Sequence, residues 1–336
     1  MLGIMTNEKK LELAYEYYSN NKLEKAEKLI EELEKEVSEL ELSFLKCKIL
    51  IGLDKNKEAK ETLELIRSDL FHNIGYMALF DEERSQERVV ETLGLLEIAN
   101  SSLTEVYLNE CEYEAALGIV KETLKLLELD EVDPFYLYLA AQTFFANAQY
   151  EKSIEMLTEI KIRGFENDTS LLLNSLGMVG NFYSLQDTNN VIIILDDILD
   201  FLKAKGAQPI GDTFPMFFLL ANVMASLNLK DYILKFIGSS LLKNKVLKYY
   251  FETTLSLMNG DEEEAKINVK MYKESIEKYC ESSNSLSFKD FWSYDDWKDV
   301  KFSKEDFFKR FFYPQNLSSE VIHQFYESVY GKVKFE

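Results

Sequence analysis

The chain reads as a succession of short amphipathic segments whose apolar positions recur in steps of three and four. The clearest lies between Phe135 and Ile160, FYLYLAAQTFFANAQYEKSIEMLTEI. Ala141 is followed by Phe144, and Tyr150, Ser153, Leu157 and Ile160 continue the pattern beyond a polar break at Ala146-Asn147-Ala148-Gln149. Such steps fall on one face of a helix, so the stretch predicts two short antiparallel helices joined by a tight turn. The small residues Ala141 and Ser153 let the backbones approach, and Phe144, Tyr150 and Leu157 fill the space beside that contact. One hairpin cannot bury its apolar faces alone and has to stack on others like itself.

Copies of the pattern recur along the chain. Ala14, Tyr17, Leu23, Ala26, Ile30 and Leu33 repeat the spacing, as do Thr104, Tyr107, Tyr113, Ala116 and Val120. A weaker copy has Cys47, Leu50, Ala59, Leu63 and Ile66, and a late one has Thr253, Ala265, Val269 and Tyr272 around the turn Asn259-Gly260-Asp261. Two loose copies centre on Phe182 with Val191 and on Ala221 with Ile237, where the small-residue rule is broken. These residues resemble the tetratricopeptide repeat over roughly residues 6–280. The resemblance implies an all-α fold, an α-solenoid of about six to seven antiparallel helix hairpins. Ala59 to Ala116 spans 57 positions, against 33 from Ala26 to Ala59, which places an insertion over 67–92, between the second and third clear units. Two readings of it stand: a lid or pocket wall, or an extra helix or lengthened connection.

From Asn284 the spacing is lost. Residues 284–336 hold 15 aromatics, including both tryptophans, Trp292 and Trp297. That density predicts an aromatic-rich C-terminal cap over the last exposed apolar face, with a recognition module as the alternative. Only 4 prolines and 13 glycines interrupt the chain, as suits helices throughout. Thr6 or Asn7 is expected to cap the first helix, Asp168 or Thr169 a central one, and Asp261 the last. The loop from Lys205 to Asp212 is the expected bend.

The net charge of -21 is unevenly placed, with 18 acids against 7 bases between Glu105 and Ile210. Such a surplus repels nucleic acid and anionic membranes and attracts a basic partner, although an acidic surface also serves solubility alone. Lysines 230, 235, 243, 245 and 248 form a local basic patch, read as a solvated face. Cys47, Cys111 and Cys280 are odd in number and far apart, which suits small buried residues of a reducing compartment. MLGIMTNEKK becomes charged too soon for a signal peptide, and Phe214 to Leu227 is too short to cross a bilayer. A cytoplasmic location is expected.

No arrangement of residues calls for catalysis. His72 and His323 are the only histidines and neither lies in a recognisable motif with Cys or Ser; no zinc-finger cysteine pair or phosphate-binding glycine loop is present. Asp187-Thr188-Asn189-Asn190 has the start of a calcium loop but lacks its central Gly and distal Glu. Neither enzyme activity nor a cofactor or metal site is expected. In the repeat family the first helix of each hairpin lines a concave groove. Transferred residue by residue, that resemblance nominates Tyr15, Tyr18, Glu105, Asn109, Tyr138, Gln142, Phe145, Tyr183, Phe218, Asn222 and Tyr250 as partner contacts, with Ser101 beside Glu105. Lys48 is almost the only base on that face, so the lysine-rich clamp by which some family members hold a terminal carboxylate is not expected. The aromatic rings and amides suit an extended or helical protein segment, and half of the rings are equally readable as core between hairpins.

Three functions follow: an adaptor or receptor binding a peptide in the groove, an acidic inhibitor or immunity-type protein neutralising a basic enzyme, and a receptor for a signalling peptide, as in some bacterial regulators built on this repeat. Tyr138→Ala with Phe145→Ala is expected to weaken binding while leaving melting nearly unchanged.

Overall fold

A computed structural model describes residues 6–36, 40–80, 85–127, 129, 131–165, 167–205, 214–238 and 244–261, with most positions of 263–275. Among the described residues the chain is helical with no strand. It divides into two compact units, Met1–Thr143 and Phe144–Glu336. The expected cap over 284–336, and the expected bend at Lys205–Asp212 apart from Lys205 itself, lie outside the described residues.

The first unit contains α1 (Asn7–Ser19), α2 (Leu23–Leu33), α3 (Leu40–Gly52), α4 (Asn56–Phe80), α5 (Ser85–Asn109), α6 (Tyr113–Leu126) and most of α7 (Pro134–Ala146). Consecutive helices from α1 to α6 pack on one another, and α1 touches α3 as α3 touches α5. Contacts to the next helix and to the next but one are what a stack of hairpins produces. The second unit repeats this with α8 (Tyr150–Arg163), α9 (Asp168–Ser184), α10 (Thr188–Lys205), α11 (Phe214–Ser226), α12 (Lys230–Gly238) and α13 (Lys245–Asn259). There α9 packs on α11, α11 on α13, and α10 on α12.

The backbone marks the repeat more plainly than the side chains do. Asn21, Asp54, Cys111, Ala148, Gln186 and Asn228 all have φ between 54° and 60°, and Gly260 has φ of 74°. Each lies in the turn after the first helix of a hairpin. In each, the next residue's N–H donates to the carbonyl five positions earlier, as in Lys22 to Tyr17, Glu112 to Tyr107 and Asp261 to Ser256. That left-handed closure satisfies carbonyls that the ending helix leaves free. Seven copies of this turn occur among the described residues, two of them in the loose repeats around Phe182 and Ala221.

The small residues meet the expectation drawn from spacing. Ala14, Ala26, Cys47, Ala59, Thr104, Ala116, Ala141 and Ser153 are all at 0 % exposure. In the first unit Ala14, Ala26, Ile30, Leu33, Leu42, Leu45 and Ile49 form one buried cluster, with Leu11, Tyr17 and Leu29 packed against it. Cys111 departs from expectation, since it is exposed on its left-handed turn, whereas Cys47 is buried and its thiol is pushed up to about 12 by that burial. The segment 67–92 lies largely in α4 and α5, each 25 residues long and packed together, so its described part is added helical turns.

Caps differ from expectation by a residue here and there. Thr6 occupies the N-cap of α1 without a side-chain bond. Asn167, one position before the residues named from sequence, caps α9 by accepting the Ser170 N–H at 2.9 Å. Asp261 accepts the Glu264 N–H at 3.0 Å, as expected of a cap. Asp187 accepts the Asn190 N–H at 3.1 Å and its side-chain amide at 2.6 Å, and these bonds hold its carboxyl below the usual range. The calcium-like stretch is therefore a helix start. No described helix is long and apolar enough to cross a membrane.

Candidate binding cleft of the first unit

In the first unit the faces of α1, α3 and α5, with the start of α7, enclose a cleft of about 1020 Å³. All four helices are followed by one of the left-handed turns, at Asn21, Asp54, Cys111 and Ala148. Tyr18 and Lys48 enter from α1 and α3; Glu97, Ile98, Ser101, Ser102 and Glu105 line the α5 side; Asp133 and Phe135 close the α7 end. The α5 residues 94, 97, 98, 101 and 105 keep steps of three and four along one face.

Two acids at the α7 end serve the helix. Glu97 accepts the Asp133 N–H at 2.7 Å, and Asp133 in turn accepts the Phe135 N–H at 2.8 Å. Both offset the positive end of α7, where amides would otherwise lack partners. Glu105 is placed differently. It is half-buried, and among the described residues no group donates a hydrogen bond to its carboxylate and no base forms an ion pair with it. Loss of water around it raises its pKa above the ordinary 4.5, with the Lys48 charge opposing.

A carboxyl whose pKa is raised on folding binds its proton more tightly in the folded state. It favours the fold fully below the ordinary value of 4.5, and that contribution is lost as pH rises through the raised value. E105Q, which cannot ionise, should therefore melt above the wild type at neutral pH, and the gap should shrink as acid protonates Glu105. Parallel thermal melts across the pH range check this. A constant gap, or none, would show that Glu105 is well solvated.

Gly94 also lines the cleft, in the interior of α5. A Cβ there would meet no described heavy atom within 4 Å, so packing does not require glycine. By contrast a Cβ on Gly52 would come within 2.9 Å of Leu23 Cδ1, the end of a flexible side chain on α2 that would have to shift.

The residues nominated from sequence divide. Tyr18, Glu105, Ser101 and Lys48 come together in the cleft. Tyr15 is 38 % exposed, outside the cleft lining, with its hydroxyl donating to Glu41 at 3.0 Å. Asn109 and Tyr138 are half-buried, and burial raises the Tyr138 phenol pKa against a hydrogen bond with Gln142. Gln142 and Phe145 are 4 % and 2 % exposed and belong to the interior.

In the second unit Tyr183 is half-buried and shares a hydrogen bond of 2.7 Å with Ser226. Asn222 and Tyr250 are interior residues, with the Tyr250 hydroxyl donating to Asn222 Oδ1 at 3.0 Å. The Phe218 side chain lies outside the described residues. Burial of Phe145 also overturns the expectation that its truncation leaves melting unchanged: removing a fully packed ring costs about 3–5 kcal/mol.

Other charged groups prominent in the sequence are already paired. Lys60 binds Glu112 at 2.8 Å and Glu110 at 3.7 Å while lying 4.5 Å from the centre of the Tyr107 ring. In the lysine patch, Lys235 pairs with Asp196 and Lys248 with Glu252. No group of three potential metal ligands occurs among the described residues. Compared with known proteins, the chain matches no protein-family model and no curated protein.

Proposed function

We propose that this chain is a non-catalytic binding protein of the tetratricopeptide-repeat type that takes an extended protein segment in the cleft of its first unit. The observation that carries the reading is the composition of that cleft. Ile98 and Phe135 are 45 % and 56 % exposed beside the serines of α5 and the Glu105 carboxylate. Apolar surface next to hydrogen-bonding groups, held on rigid helices, is suited to a peptide with alternating side chains. Gly94 supports the same reading, since glycine within a helix costs about 1 kcal/mol relative to alanine and gains no packing here.

A Cβ at position 94 meets no described heavy atom within 4 Å, so G94L projects a bulky side chain into the cleft from a helix that leucine favours. Selection of displayed random peptides on the full chain, with G94L as counter-target, is expected to enrich sequences that bind wild type alone. Enrichment equal on both proteins would sink the cleft assignment. The surplus of acids between Glu105 and Ile210 supports a second reading, an acidic neutraliser of a basic enzyme. Its binding would weaken steeply with salt, whereas binding anchored by apolar contacts would weaken little.

A further inference from the structure

The charges lining the cleft specify the side chain it accepts, an inference that rests on the peptide-binding reading above. Glu97 and Asp133 already satisfy amides at the start of α7, so the positive end of that helix is offset before any ligand arrives. An anionic group therefore gains little there, and among the described residues Lys48 is the one base lining the cleft. Glu105 stands apart, half-buried and without a donor among the described residues. An ionised carboxylate in such surroundings is unfavourable unless a donor or cation meets it.

The surroundings favour an organic cation over a metal ion, because the described residues hold no group of three ligands. Ile51 and Ile98 offer apolar surface for the methylenes of a long basic side chain. Phe135, more than half exposed, adds an aromatic ring to the same cleft lining, a residue type that attracts cations. Gly94 leaves room on the same cleft-lining face of α5, about three turns before Glu105, along the path of an extended segment. Guanidinium fits this combination better than ammonium, since it donates two parallel hydrogen bonds to a carboxylate and stacks on aromatic rings.

We propose that the cleft of the first unit binds an arginine side chain within an extended peptide segment, with Glu105 as its counter-ion and Ile98 and Phe135 flanking its stem. A terminal carboxylate is not part of what it recognises. The segment is thus the charge-reversed counterpart of a ligand held by a lysine clamp.

Three pools of end-capped peptides test this, randomised at apolar flanks and fixed at the centre as arginine, citrulline or glutamate. Citrulline keeps the shape of arginine and removes its charge. Each pool is passed over immobilised full-length wild type, E105Q and G94L, and retained peptides are quantified by mass spectrometry. Wild type is expected to retain the arginine pool roughly 10- to 100-fold better than the citrulline pool, as suits a charge-assisted hydrogen bond. E105Q should bring the two pools close together, and G94L should retain neither.

Equal retention of the arginine and citrulline pools by wild type, with loss on G94L, would overturn the arginine assignment and leave the cleft reading standing. Retention that ignores G94L, or retention of no pool, would overturn both. Thermal melts of E105Q and G94L beside the wild type show whether each variant is folded, and a folded E105Q that still prefers arginine by the same factor would reject Glu105 as the counter-ion.

Discussion

Phe236→Ala is expected to destabilise the second unit by about 3–5 kcal/mol. Phe236 is at 0 % exposure, with its ring centre 6.5 Å from that of Phe217 and 5.8 Å from that of Phe251. It belongs to α12, which is only nine residues long and buries Ile233 and Phe236 alone. A helix below about 12 residues is marginal by itself, so its persistence depends on these tertiary contacts. Removing the ring leaves a cavity between α11 and α13 and withdraws most of what holds α12 in place. Because a hairpin stack is stabilised mainly by neighbour contacts, the damage should be local. Hydrogen exchange should show lost protection concentrated in α11 to α13. Leu234→Ala is the control, since Leu234 on the same helix is 51 % exposed and its removal should stay within about 0.5 kcal/mol. Equal losses from the two variants would refute this account of α12.

How much of this architecture could be read beforehand depends on which physical signal carried it. The small buried residues were legible because close backbone approach admits few residue types, and Ala14, Ala26, Ala59 and Ala116 recur at helical spacing. The seven turns were not all legible. Asn21, Asp54, Asn228 and Gly260 are residue types that accept positive φ readily, but Cys111, Ala148 and Gln186 are not. Their conformation is imposed by the two helices they join, so composition gives no warning of it. The extra length over 67–92 was read from the distance between equivalent small residues, which does not say what form it takes. The chain between them lengthens α4 and α5 by whole turns, and a periodic pattern does not say where one unit's share of a helix ends.

The cleft was legible only in part for a related reason. The first helix of a hairpin presents one side to open space and another to the next hairpin, and residues three or four apart can fall on either. Tyr18, Ser101 and Glu105 fell on the open side, whereas Gln142, Phe145, Asn222 and Tyr250 fell on the packed one. One signal was present: Asn222 and Tyr250, 28 positions apart, are a complementary donor and acceptor, as buried polar residues must be. Gly94, Glu97, Ile98 and Asp133 were missed because they precede the recognisable parts of their repeats, and Phe135 because it opens its stretch ahead of the first patterned residue, Ala141. Only the packing of α5 and α7 brings them beside Lys48 and Tyr18.

Thr123→Val is expected to cost about 2–4 kcal/mol although it changes no volume, because it strands two buried donors at once. The Thr123 hydroxyl accepts from Asn100 Nδ2 at 2.8 Å and from the Tyr136 hydroxyl at 2.8 Å, and donates to the Ile119 carbonyl at 3.0 Å. Asn100, Thr123 and Tyr136 are 0 %, 2 % and 0 % exposed, so water cannot replace what is lost without opening the fold. These three residues come from α5, α6 and α7 and tie them at one point. The same α5 and α7 carry Glu105, Ile98 and Phe135 to the cleft, so the bond that fixes their register also fixes the spacing of the cleft walls. Thr123→Val with Tyr136→Phe removes one stranded donor together with its partner and should recover about 1 kcal/mol relative to Thr123→Val. Denaturant unfolding of the four members of this cycle measures the coupling. Strict additivity would mean that Tyr136 finds another acceptor, with the Thr104 hydroxyl beside it the group positioned to serve. Coupling instead would identify a polar knot beneath the cleft, and a folded Thr123→Val should then bind arginine peptides more weakly than wild type without any change to a residue that touches them.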